Sequence, residues 1–524
     1  MPVLITLWET RYLLKGIAVA VGLIFVSSFY RELADGLPYS KIPLVGRSRW
    51  EISNSEAKKR FRTSAKDVIA QGFNEGRTVF QTMFTFGPTI VLHPGFVNEV
   101  KNHPDLGFRE AVMKFFFGGE IPGFEPFTGD QGRDAIVREV INKKLIQSLG
   151  QLTIHLSRET AAVLTDKLPK SDEWRPCTLV QHIPYMVARV SSLVFLGENI
   201  CRDETWLNVS VNYAIDAFHA ARNLREWPAI IRPLVHWFMP SLQKLRYHKR
   251  VAAEIVQQEI NKRSRIAEGK LPEKNPPRTH ADFLDCCREV AAGRPFNEAV
   301  AQIGLSVAAI HTTSSMLTNV MYDLTAYPEY IQPLRDEIKA IVEEDGVLKK
   351  SSLTKMKLMD SIMKEAQRIN PLSLTALSRI ATKAIVLSDG TRIPKGASVT
   401  VSAHMRQDES IYPNAKVFDG FRFYNKRQEP GSEHRYQFVT TSEEHLAFGH
   451  GMHACPGRFF AANEIKIFLI HLLMKYDWKF AEHVDRPKSI LLGTEIICDP
   501  TVKLLYKSRQ PEIDLSALGE EVIA

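Results

Sequence analysis

FGHGMHACPGR, residues 448–458, holds one cysteine, Cys455, between glycines and a proline. Gly449 and Gly451 carry no Cβ, so the backbone can turn tightly there and direct its N–H groups at a ligand or a sulfur. Pro456 suits the first position of a helix running on through RFFAANEIKIFLIHLLMKY. Cys455 is therefore expected at a helix N-terminus, where free amides and partial positive charge favour thiolate over thiol. A lone thiolate is a ligand for one soft metal position, and on iron it is the haem ligation that favours O–O cleavage. The same stretch also reads as a loop around a small buried apolar side chain.

The stretch resembles the haem-binding signature of the cytochrome P-450 family, F-x-x-G-x-R-x-C-x-G, with Phe448, Gly451, Cys455 and Gly457 in register. The resemblance implies haem b with Cys455 as the axial iron ligand, and Phe448, Gly449, Gly451 and Gly457 forming the loop around it. His453 stands where the family usually has an arginine that pairs with a haem propionate. A histidine donates there only singly, with a charge that depends on pH.

Upstream, residues 296–327 form a run of 32 without proline, interrupted only by Gly304 and apolar on most faces. As a helix it would be roughly 48 Å long, and hydrophobicity all round predicts burial through the core. Its middle, AAIHTTS at 308–314, resembles the family's oxygen-activation segment (A/G)-G-x-(D/E)-T-(T/S), with Ala309 for the glycine, His311 for the acid and Thr312 as the matched threonine. The resemblance gives Thr312 a hydroxyl beside bound dioxygen and makes His311 a relay, its ordinary pKa of about 6.5 allowing proton exchange near neutrality. Read alone, His311 is equally a core histidine bonded to a carbonyl.

Residues 354–370 read as another helix, stopped by Asn370-Pro371. Within it Glu365 and Arg368 share a face, and as a solvated pair they would be worth only ~0.3–0.5 kcal/mol. They match the family's E-x-x-R, where the pair is buried and joined by a downstream arginine; Arg422 in FDGFRF has that place. The implied role is to hold the loop leading to Cys455. Arg379, after PLSLTAL, is the implied propionate partner, with a surface arginine as the other reading. Arg138 matches the arginine of the family's W-x-x-x-R with Asp134 for the tryptophan, and also reads as a solvated side chain.

Elsewhere a helix is predicted over 54–72, strands over 78–86 and 89–92 around Gly87-Pro88, and a helix over 131–165. Residues 108–127 are glycine-rich and aromatic, a buried loop or, by resemblance, a substrate-facing one. Pro228, Pro233 and Pro240 break 206–245, which suits a lid, before a basic amphipathic helix over 243–266. The turn at Gly493-Thr494 in the family re-enters the pocket.

A hydrophobic content of 44% is enough for a large core, and the net charge of +8 suits a membrane or an acidic protein. No dense basic run with interleaved aromatics points to nucleic acid. Six cysteines without a C-x-x-C pair argue for a reducing compartment. Residues 12–30 form a stretch of 19, roughly 28 Å as a helix, against a ~30 Å bilayer core. It reads as an uncleaved anchor, with a secretory signal peptide as the rival; flanking charges leave its orientation open.

The expected division is an anchor at 1–30, a hinge with Pro38 and Pro43 at 31–50, a haem-thiolate domain at 51–509 and a mobile acidic tail at 510–524. The expected fold is mainly α with a minor β region, one large haem domain behind an N-terminal transmembrane helix. The resemblance places it on the endoplasmic reticulum membrane with the catalytic domain in the cytosol. It implies insertion of one oxygen atom from O2 into a lipophilic small molecule, with electrons from NADPH through a flavoprotein reductase. The histidines at 311 and 453, with PNAKVFDGFRFY and CPGRFFA, are most similar to fungal members that oxidise terpenoids and related secondary metabolites. The alternatives are rearrangement, dehydration or desaturation without net oxygen insertion, and a haem sensor or electron carrier.

Overall fold

The proline-free run at 296–327 becomes the central helix of the molecule, here described from a computed structural model covering residues 15–23, 36–51, 54–272, 281–481 and 485–519. The principal helices are α1 (Ser55–Asn74), α2 (Phe108–Phe116), α3 (Gln131–Glu139), α4 (Ile146–Lys167), α5 (Leu179–Leu196), α6 (Glu204–Arg225), α7 (Pro240–Ala267), α8 (Phe283–Ala291), α9 (Glu298–Ala326), α10 (Ile331–Asp345), α11 (Lys357–Ile369) and α12 (Arg458–Lys475). Asn297 starts α9 by accepting the Val300 N–H at 2.9 Å, and Tyr327-Pro328 ends it. Packed against α5, α6, α7, α11 and α12, α9 runs through the largest apolar cluster. A π-helical turn at Val140–Leu145 joins α3 to α4, so 131–167 is one continuous helix.

Strands are few. β1 (Val79–Phe84) and β2 (Gly87–Leu92) form the expected hairpin, and β2 pairs in parallel with β8 (Ser398–Ser402). β5 (Thr375–Ala381) and β3 (Leu106–Gly107) complete a sheet of order β1-β2-β8-β5-β3. β4 (Arg175–Cys177), β12 (Leu504–Ser508) and β9 (Tyr476–Phe480) make a second sheet, and two small hairpins pair β6 (Ile385–Val386) with β7 (Arg392–Ile393) and β10 (Ile490–Leu492) with β11 (Glu495–Ile497).

Several boundaries differ from expectation. α12 starts at Arg458, with Gly457 as its N-cap, so Pro456 lies before the helix. Met356, at ψ 78°, separates the short helix Lys350–Lys355 from α11, dividing the helix predicted from 354. The first half of the aromatic segment at 108–127 is helical rather than a loop. The hinge is partly built into the body: Val45 N–H donates to the Gln81 carbonyl at 2.9 Å, Gln81 N–H to the Pro43 carbonyl at 2.8 Å, and Ile42 and Val45 are buried. The tail is docked as far as Gly519: Leu518 is fully buried and the Ala517 carbonyl accepts the Leu348 N–H at 2.9 Å.

Of the expected anchor, only residues 15–23 are described; they are helical, with Ile17, Val19, Val21 and Leu23 exposed. Among the described residues the one helix long and apolar enough to cross a membrane is α5, and its side chains are mostly buried in the core. The loop GKLPEKNPPRTH lies mostly outside the described residues.

Candidate haem-thiolate active site

The loop before α12 is closed by its own backbone. Cys455 N–H donates to the Phe448 carbonyl at 2.8 Å, Gly449 N–H to that of Leu446 at 2.8 Å and Ala454 N–H to that of Gly451 at 3.0 Å. Gly449 and Gly451 take φ of 67° and 79°, a region that disfavours side chains. A Cβ on Gly451 would also lie 2.5 Å from Asn102 Oδ1, the atom that accepts the Met452 N–H at 2.7 Å. A Cβ on Gly457 would meet nothing within 4 Å, which leaves open space beside the cysteine.

The N–H groups of Gly457 and Arg458 are directed at the Cys455 sulfur. They pull the thiol pKa down, as does the Arg458 guanidinium, but burial outweighs them and the net shift is upward. The expected bias towards free thiolate is therefore corrected: without a metal the site favours thiol, and the amides stabilise sulfur charge once a metal displaces the proton. Arg458 also fixes the loop, donating to the Cys455 carbonyl at 2.7 Å and to that of Val439 at 3.1 Å.

One face of α9 is uncovered. Leu305, Ala308, Ala309 and Thr312 are accessible, whereas Ile303, Ser306, Ile310 and Thr313 are buried. The spacing of three and four residues puts the accessible set on one face, and in a core helix such a stripe marks a cavity alongside. Thr312 Oγ1 donates to the Ala308 carbonyl at 2.8 Å, which leaves its lone pairs free to accept. His311 is committed elsewhere: Nε2 lies 2.8 Å from the Val211 carbonyl of α6, and burial lowers its pKa. The carbonyl can only accept, so Nε2 carries the proton and only Nδ1 is left. This is the carbonyl-bonded core histidine, tying α9 to α6, in place of the expected relay.

Arg379, on β5, is 2% exposed and makes one hydrogen bond, from Nη1 to the Ser378 carbonyl at 2.9 Å. Among the described residues its Nε and Nη2 have no partner and it has no ion pair. Desolvation pushes its pKa down to about 10. The charges of Arg379 and of the exposed Arg138 both act on His453, holding its pKa down together with burial, the largest cause. The Phe108 ring links the group, 5.5 Å from the His453 ring and 5.5 Å from the Arg379 guanidinium carbon. Arg379 and His453 thus meet across the Phe108 ring, with the charge of Arg138 felt at His453 and no acid among the three, and a buried cation without a counter-ion is costly. Haem, with its carboxylate side chains, fits that arrangement.

Glu365 and Arg368 are fully buried and doubly bonded, at 2.8 and 2.7 Å, and Arg422 Nε reaches Glu365 Oε1 at 3.1 Å. Arg406 escaped notice in the sequence: its carbonyl accepts from Arg368 at 2.6 Å while its own guanidinium donates to the Arg368 carbonyl at 3.3 Å. Gln367 Oε1, 2.8 Å from buried His445 Nε2, joins α11 directly to the approach of the cysteine loop. No motif spacing announced Asn102, Gln367 or Arg406.

A cleft of about 760 Å³, mouth included, lies between α2 and β5. Phe84, Phe86, Phe108, Phe115 and Phe116 line it beside Arg379, and Thr494 enters from the β10–β11 turn, as expected.

A lone cysteine under amide donors, an acid-free cluster of propionate-type donors and a hydroxyl on the bared face of a core helix are the parts of a haem-thiolate protein. The cytochrome P-450 family profile matches residues 59–503, and the chain belongs to that family. It is 39% identical to the cytochrome P-450 monooxygenase hepE of Aspergillus oryzae, over 91% of this chain and 88% of that one. It is 39% identical to calE of Penicillium decumbens, over 96% and 97%, and 37% identical to ntnM of a Nectria species, over 90% and 89%, both also named as cytochrome P-450 monooxygenases. These relatives are fungal, and the chain is an oxidoreductase of the monooxygenase class.

Proposed function

We propose that this enzyme inserts one oxygen atom from O2 into a lipophilic small molecule, a terpenoid or related secondary-metabolite intermediate, with Cys455 as the axial ligand of haem b. Bound haem supplies dioxygen activation, and the chain supplies ligation, orientation and dryness. Arg379, Arg138 and His453 hold the propionates; Gly449, Gly451 and Gly457 leave the loop thin enough for close approach, and the Phe448 carbonyl closes it. Thr312 holds a proton or water at Oγ1 on the bared face of α9. The phenylalanines of the cleft receive an apolar skeleton and exclude water. Electrons come from NADPH through a flavoprotein reductase, and the exposed apolar helix at 15–23 supports an anchor in the endoplasmic reticulum membrane.

The observation that carries the reading is the buried Arg379 guanidinium with two unpartnered nitrogens, linked through the Phe108 ring to His453, two residues from a cysteine under two amide N–H groups. Cys455→Ala is expected to abolish the thiolate-type absorption of the reduced carbon monoxide complex, and an unchanged spectrum overturns the ligand assignment. Incubating membranes that contain the enzyme and a reductase with polycyclic terpenoids under labelled dioxygen tests the reaction. Label in the product supports insertion; oxidised or rearranged product without label points to the non-inserting alternative.

A further inference from the structure

A second cleft of about 520 Å³ opens beside the first, and Phe84, Phe86, Phe115 and Thr494 line both. Phenylalanines thus stand between the two clefts, with Arg379 lining the first of them. Arg62 of α1, Arg222 and Arg225 of α6 and one carboxylate, Glu495 at the start of β11, line the second cleft. Arg222 and Glu495 are 3.9 Å apart, at the outer limit of an ion pair, and both are partly exposed. Arg225 stands among rings, its guanidinium carbon 5.0 Å from the Phe115 centroid and 4.9 Å from that of Phe117, and it donates to the Phe115 carbonyl. Among the described residues it has no ion pair, and Arg222 and Arg232 add like charge; with burial as the larger cause, its pKa is pushed down to about 9. A guanidinium held there without a counter-ion is compensated by an incoming carboxylate; with Nη2 given to the Lys114 and Phe115 carbonyls and one Nη1 hydrogen to that of Ala221, the acid meets its charge and the single remaining Nη1 hydrogen rather than the whole fork.

We propose that this cleft anchors the carboxylate of an acidic lipophilic substrate, Arg222 and Arg225 holding the acid while the phenylalanines shared with the first cleft receive the apolar skeleton. The loose contact of Arg222 with Glu495 is the one the substrate replaces. The inference rests on the proposed oxidation of a lipophilic molecule, and its test separates the two.

Purified holoenzyme is titrated with abietic acid and its methyl ester, and with dodecanoic acid and its methyl ester, at neutral pH, following the substrate-induced change in haem absorption. At least one acid is expected to bind about tenfold more tightly than its ester, the scale of one charge-assisted hydrogen bond. Arg222→Gln is expected to remove most of that preference without changing the ester's Kd, and Glu495→Gln, which frees Arg222, to widen it. Esters that bind as tightly as their acids, no response to either acid, or a preference that survives both Arg222→Gln and Arg225→Gln overturns the anchor. A normal thiolate band in the reduced carbon monoxide complex then leaves the haem-thiolate reading standing, and loss of that band counts against Cys455 instead.

Discussion

Thr312 and Glu464 carry opposite burdens, one a polar group bared to a cavity and the other a carboxyl sealed in the core. Thr312→Ala removes the one hydroxyl on the accessible part of α9 between Leu305 and Thr312, so more of the electrons consumed should end as peroxide. Thr312→Ser should restore coupling, and unchanged peroxide release in the alanine variant removes Thr312 from the chemistry. Glu464, on α12, accepts the Ser191 hydroxyl at 2.7 Å through Oε1, while Oε2 has no partner. Burial pushes its pKa up to about 8. The unfolded carboxyl loses its proton first, so the folded state binds more protons and stability falls as pH rises from about 4.5 to about 8. Glu464→Gln keeps an acceptor for Ser191 and removes the titration. It should gain about 1–3 kcal/mol relative to the native protein at pH 8 and little near pH 4.5, measured by urea unfolding; a gain independent of pH sinks the assignment.

Among elements, the decisive joint is between α11 and the cysteine loop. The i to i+3 spacing of Glu365 and Arg368 and the placing of Arg422 were legible because each rests on a short motif. The Gln367–His445 contact and the paired Arg368 and Arg406 carbonyl bonds were not, since they join residues 78 and 38 apart whose meeting depends on the fold. His311 shows the same limit: relay and carbonyl-bonded core histidine both fitted the sequence, and the partner that decides between them, the Val211 carbonyl, lies 100 residues away. The network predicts its own failure mode. Arg422→Ala leaves the buried Glu365 with one arginine and strips donors from the Pro413, Asn414 and Val417 carbonyls. It should cost about 3–5 kcal/mol and release haem on dilution, read as a lower Tm and a weaker thiolate band; Arg422→Lys should recover part of the first. Retained haem at wild-type stability means that the network does not hold the loop.

Over the whole molecule, the mainly α architecture with its minor sheets follows from long proline-free apolar runs and from short strand pairs around Gly-Pro and Gly-Thr turns. At the C-terminal segment composition reports solvation, whereas docking is decided by a few contacts. DLSALGEEVIA is acidic and has no aromatic residue, so it reads as solvated. Yet Leu518 is fully buried, Gly519 turns at φ 86° against Ile154 and Arg158, and Arg158 Nε donates to the Gly519 carbonyl at 3.0 Å. One buried leucine and two bonds accepted by the segment's backbone carbonyls fasten it across α4 and the residues after α10. Leu518→Ala removes the apolar contact and leaves those bonds in place. A loss of about 2–3 kcal/mol in urea unfolding is expected, the lower range for a core leucine because the site lies near the surface and can relax. Ending the chain at residue 510 also leaves the Leu348 N–H without its acceptor and should cost more. Equal stability of the native, Leu518→Ala and shortened proteins would restore the solvated tail that the composition suggested.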